Sequence, residues 1–120
     1  MPRSEVLDAV DDDTFLVVLT HVHYLTGEIY DLPSVTARAH ARGAWVLWDL
    51  SHTVGAVPVD LRACRADFAV GCTYKYLNGG PGSPAFSDVR GDLQAGLQPV
   101  LAGWMGTRVP SISTTRTARE

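Results

Sequence analysis

The sequence has no apolar run near the roughly 20 residues needed to cross a bilayer. Its first ten residues, MPRSEVLDAV, also lack the apolar stretch of a secretory signal. Both absences point to a cytoplasmic location. Two cysteines, Cys64 and Cys72, are too few for a disulfide scaffold, and their spacing is not that of a CxxC metal site. Both read as reduced core thiols, and no metal centre is expected. Positive charge is scarce: the net charge is -3 and the pI is near 5.7, which argues against nucleic acid or another polyanion as partner. Neither an internal repeat nor a linker divides the chain. What remains is 120 residues, 46% of them hydrophobic, enough for one globular unit with a core.

Taken in order, Glu5 to Asp13 is acidic and weakly helical, and Phe15 to Leu19 is a continuous apolar run, the pattern of a strand covered on both faces. Asp31 and Pro33 open a helix, because the aspartate accepts from free N–H groups and proline is harmless in a first turn. Val35, Ala39 and Ala41 supply its buried face, and Arg42-Gly43 closes it. Ala44 to Trp48 is a second buried strand ending in Asp49. Strand, helix and strand in this order form a βαβ unit with parallel strands, which puts Thr20 and Asp49 at one edge of the sheet. Asp67 to Cys72 is a third strand, Ser83 to Phe86 a short returning strand, and Asp92 to Leu97 a weak helix. The fold class is α/β.

The segment Thr73 to Gly82, TYKYLNGGPG, sets a lysine between two tyrosines and then a run that no helix or strand accommodates. It is a shaped loop just beyond a buried strand, where open α/β sheets hold their ligands. A lysine there can form an imine with a carbonyl compound if its amine is partly neutral. An aspartate ending the neighbouring strand can hold a protonated pyridine nitrogen. Asp49 fits that role and equally fits a cap for the turn at Ser51 to Gly55. For Lys75 alone a solvated loop lysine is the commoner case, and the two flanking rings, expensive to leave in water, shift that balance. His52 can stack on a ring or serve as a structural hydrogen-bonding residue. Gly79 to Gly82 could cradle phosphate, but the spacing is neither a Walker nor a dinucleotide motif.

Three stretches together, WDLSHTVGAVPVDL (48–61), ADFAVGCTYKYLNGGPGSPAF (66–86) and GW (103–104), resemble kynureninase, a pyridoxal-phosphate enzyme of tryptophan catabolism and NAD biosynthesis. The resemblance covers residues 5 to 106. It implies the central part of the large domain of a fold-type I pyridoxal-phosphate enzyme, a mostly parallel sheet with helices on both faces. It further implies that Lys75 is the Schiff-base lysine, that Asp49 pairs with the pyridinium nitrogen and that His52 sits beside the cofactor. Tyr74 would hydrogen-bond the cofactor phosphate and help steer protons, and Thr20 would line the ring side. Trp104 would reach the cofactor phosphate of the other subunit in a homodimer. The implied reaction is hydrolysis of L-kynurenine, or its 3-hydroxy form, to anthranilate, or 3-hydroxyanthranilate, and L-alanine.

The resemblance also implies an internal fragment, since kynureninases are three to four times longer and carry an N-terminal phosphate-binding loop and a C-terminal small domain. Residues 1–106 then form a partial cofactor-binding domain, and residues 107–120 a non-homologous, disordered tail without periodicity. After GWMG the family continues with a histidine and a Pro-Phe-x-Phe pattern, whereas this chain has TRVPSISTTRTARE. Back-translated with GC-rich codons and read one base earlier from the end of the Gly106 codon, Thr107 to Thr115 can give His-Ala-Arg-Pro-Phe-Asp-Phe-Asp-His. A frameshift after Gly106 is therefore expected. If no shifted frame of the nucleotide sequence restores such a C-terminus, that explanation fails. Two readings stand: a kynureninase-type enzyme, or an inactive remnant of a pyridoxal-phosphate enzyme. For the isolated 120 residues, exposed strand edges and unburied apolar runs point to the remnant.

Overall fold

The computed structural model describes residues 3–97. Trp104 and the tail 107–120 lie outside the described residues. The elements are helix α1 (Arg3–Asp8), strand β1 (Leu16–Thr20), helix α2 (Leu32–Ala41), strands β2 (Trp45–Asp49), β3 (Phe68–Cys72) and β4 (Ala85–Val89), and a 3₁₀ turn at Gln94–Gly96. They form one sheet in the order β1-β2-β3-β4. β1, β2 and β3 run parallel, and β4 returns antiparallel to β3. This is an α/β fold with a mostly parallel sheet.

Helix α2 begins as its sequence dictates. The Asp31 side chain accepts from the Ser34 N–H at 3.1 Å, Pro33 sits in the first turn, and the chain leaves through Gly43 at φ +75°. Its buried face is Leu32, Val35, Thr36 and Ala39. Ala41, expected on that face, is exposed instead. The helical phase carries position 41 off the stripe and brings Leu32 and Thr36 onto it. Beneath this face lie Val46 and Trp48, both fully buried, and the Trp48 indole N–H donates to Thr36 Oγ1 at 3.1 Å. Helix α1 adds Val6 to the same core.

The other face is more open. Phe15 is 75% exposed and Val18 62% exposed, so β1 is an edge strand covered on one side among the described residues, not on both. An apolar run reports that a strand avoids water, but not which element provides the cover. On this face Leu16, Trp45, Leu47 and Phe68 form a shallow apolar hollow with Leu93 and Leu97 of the segment around the 3₁₀ turn.

At the N-terminal ends of β2 and β3 a buried aspartate ties the sheet together. Asp67, 1% exposed, accepts from the Val46 N–H at 2.8 Å and from Arg90 Nη1 at 2.5 Å, and lies 2.9 Å from His40 Nε2. It joins α2, β2, β3 and the end of β4. The site lies at the opposite edge.

Candidate functional site

The C-terminal ends of the parallel strands carry the chemistry-bearing residues. Thr20 and Asp49 are direct register partners, ending β1 and β2. The Thr20 hydroxyl donates to the Val22 carbonyl at 2.9 Å. Asp49 Oδ1 accepts from the Ser51 N–H at 2.8 Å, so the capping role is real. Its Oδ2 makes no hydrogen bond among the described residues and remains able to accept another donor.

After Asp49 the chain folds into a tight turn, with the Thr53 and Val54 N–H groups both donating to the Leu50 carbonyl at 2.9 and 3.1 Å. This turn raises His52 toward the lysine loop. There the Gly79 N–H donates to the Thr73 carbonyl at 2.9 Å and the Asn78 N–H to the Lys75 carbonyl at 3.1 Å. The Thr73 hydroxyl donates to the Pro84 carbonyl at 2.6 Å and lies 2.8 Å from Ser83 Oγ.

Lys75 and His52, 23 residues apart, meet: Nζ lies 2.9 Å from Nε2 and 3.5 Å from Nδ1. With Nζ donating, Nε2 accepts, which requires a neutral ring with its proton on Nδ1. The Tyr74 ring centroid is 5.5 Å from Nζ, a cation–π contact. Lys75 is half-buried, whereas Tyr74 and Tyr76 are 50% and 51% exposed. The flanking rings, expected to be buried, are therefore largely in water among the described residues. Cys64 and Cys72 are free thiols, both half-buried; Cys64 packs against the core, and burial pushes its thiol up.

Three features escaped sequence reasoning. Tyr24 lies 6.2 Å from the His52 ring and stacks on His23 at 5.4 Å, lengthening an aromatic column beside the lysine. His21 is buried under the site, 3.0 Å from Thr53 Oγ1 and edge-on to Trp48. Lys75 is the only lysine in a chain with nine arginines, a compositional signal that singles it out before any motif does.

Burial holds His21 below its ordinary protonation range. The unfolded chain then binds the proton more tightly, so stability is fully present above about pH 6.5 and drains as the pH falls through it. Asp11 and Asp92, held low by hydrogen bonds from Thr14 and Arg90, lose their contribution only below about pH 4. Thermal unfolding followed against pH should show a fall in melting temperature as the pH drops below about 6.5 that His21→Asn flattens. An unchanged slope would remove His21 as its source.

Against known proteins, the Aminotransferase class-V profile matches residues 2–120. The kynureninase of Burkholderia mallei (strain SAVP1) is 54% identical over 107 residues, 89% of this chain and 26% of that protein. The kynureninase of Pseudomonas fluorescens is 53% identical over 103 residues, 86% of this chain and 25% of that protein. This chain thus spans about a quarter of the length of these relatives. Among solved structures, a cysteine desulfurase from Escherichia coli superposes with a TM-score of 0.75 at 22% identity, over 88% of this chain and 26% of that one. The desulfurase likeness concerns the fold alone.

Proposed function

Because this chain belongs to the class-V aminotransferase family, whose members use pyridoxal phosphate, we propose that it forms the lysine-bearing wall of a kynureninase-type active site. The reaction is hydrolysis of L-kynurenine or 3-hydroxykynurenine to anthranilate or 3-hydroxyanthranilate and L-alanine. The observation that carries this reading is the 54% identity to kynureninase over 107 residues, 89% of this chain.

The donor set fits the cofactor. Lys75 offers an amine, Asp49 Oδ2 a free carboxylate oxygen on the adjoining strand, and Thr20 a neighbouring hydroxyl. Bound pyridoxal phosphate supplies the electron sink that stores the electron pair left on the amino-acid carbon when the bond to the aryl ketone breaks. The chain's residues do the rest. Lys75 Nζ donates to His52 Nε2 across 2.9 Å, so the turn orients the amine that would act as nucleophile. Asp49, fixed through Oδ1, would hold a protonated ring nitrogen of the cofactor. By resemblance, Tyr74 would hydrogen-bond the phosphate and help steer protons, Thr20 would line the ring side, and Trp104 would serve the other subunit's cofactor in a homodimer. A cytoplasmic setting suits this small, soluble substrate.

Incubating the chain with pyridoxal 5'-phosphate and kynurenine, with anthranilate read by its fluorescence, tests the proposal. Release that Lys75→Ala abolishes is the result the catalytic reading predicts. The apolar face exposed at Phe15 and Val18 favours a second reading, a remnant without catalysis. A cofactor adduct at Lys75 without anthranilate release would select it.

A further inference from the structure

We infer that Gly55 is a positioning residue for Lys75, a role that rests on the reading of Lys75 as the cofactor lysine. Gly55 lies in the same turn as His52 and has φ +85°, a conformation that side chains rarely adopt. A Cβ there would fall 2.5 Å from the Tyr76 carbonyl oxygen, 2.7 Å from its carbon and 3.1 Å from the Leu77 nitrogen. All three atoms are backbone, so no side-chain rotation can relieve the overlap. The turn carrying His52 and the loop carrying Lys75 are thus pressed together, main chain to main chain.

The loop has few other means of seating itself on this side. Tyr74, Tyr76 and Leu77 are all about half exposed, at 50%, 51% and 47%, and so contribute little buried area to hold it. The Thr73 hydroxyl anchors the far end of the loop, toward Ser83 and Pro84. Each partner of the contact is internally braced: the Ala56 N–H donates to the Thr53 carbonyl at 2.9 Å, and the Gly79 N–H to the Thr73 carbonyl at 2.9 Å. A displacement at Gly55 therefore moves His52 and Lys75 apart rather than being absorbed locally, and their 2.9 Å contact depends on the absence of a side chain at position 55.

Gly43 supplies the control. It has φ +75°, but a methyl group on its Cα would meet nothing within 4 Å, so Gly43→Ala carries the conformational penalty without the collision. With pyridoxal 5'-phosphate as probe and borohydride trapping, Gly55→Ala should slow adduct formation at Lys75 between about tenfold and a hundredfold, the scale of an ångström of misplacement. Its rate against pH should converge on that of His52→Gln, while Gly43→Ala keeps both the rate and the profile. A Gly55→Ala chain that labels at the unaltered rate with the unaltered profile would overturn the inference.

Amide hydrogen exchange on the unaltered chain tests the contact without any variant. The Gly79 and Ala56 amides should share one opening free energy and one dependence on denaturant. Exchange of Gly79 at lower denaturant than Ala56 would overturn the inference even if Gly55→Ala fails to fold. Absence of a Lys75 adduct in the unaltered chain would instead remove the cofactor reading, and the exchange measurement would still decide the role of Gly55.

Discussion

Replacing Lys75 with alanine is expected to eliminate the pyridoxal-phosphate adduct and to cut anthranilate release by about four orders of magnitude or more, the scale on which removal of a covalent catalytic group acts. The chain has no second lysine to take over. Because the side chain is half-buried and its neighbours Tyr74 and Tyr76 are exposed, the substitution should leave the fold intact, with fluorescence of the buried Trp48 unchanged. Lys75→Arg is the more discriminating variant. It keeps the positive charge beside His52, but a guanidinium does not give up its proton in proteins and so cannot attack a carbonyl. Retained adduct or activity in either variant would mean that Lys75 is a solvated loop lysine after all.

The opposite pattern is expected from Asp67→Ala. Asp67 is 1% exposed and engages His40, Arg90 and the Val46 N–H. Removing it leaves a buried donor on Val46 without a partner and an Arg90 that, among the described residues, retains only Asp92 as an ion-pair partner. Breaking one side of a buried ion pair costs about 3–5 kcal/mol, a large share of the roughly 5–15 kcal/mol that holds a small domain folded. Urea unfolding followed through Trp48 should show a midpoint driven close to zero denaturant. A loss of less than about 1 kcal/mol would mean that solvent, not the protein, satisfies these groups. Loss of Lys75 chemistry would follow only as a consequence of unfolding, so the two variants separate site from scaffold.

Much of this frame was legible in the sequence. Asp31 with Pro33 marked the start of α2, and the alternation of apolar runs with one helix implied parallel strands that bring Thr20 and Asp49 to one edge, where they pair in register. The returning strand was legible from Ser83-Pro84-Ala85-Phe86 and forms as β4, though it extends to Val89. What escaped depends on contacts distant in sequence. Asp67 reads as a polar residue before a strand, yet its burial comes from partners 21 to 27 residues away. The meeting of His52 with Lys75 depends on how two loops lean together, which no local periodicity encodes. Gly55 reads as an ordinary turn glycine until the Tyr76 backbone is seen against it. The half-open face of β1 escaped because an apolar run is the same whether its cover is near or far in the chain.

The central claim is that Lys75, held by the His52 turn beside Asp49, is the amine that takes the cofactor. Titrating the chain with pyridoxal 5'-phosphate, reducing with borohydride and locating the label by mass spectrometry tests it most directly, since the chain's one lysine competes only with the terminal amine. The predicted result is a saturable label on Lys75 that disappears in urea and weakens in Asp49→Ala. A label that does not saturate, that divides between Lys75 and the terminal amine, or that survives unfolding would contradict it.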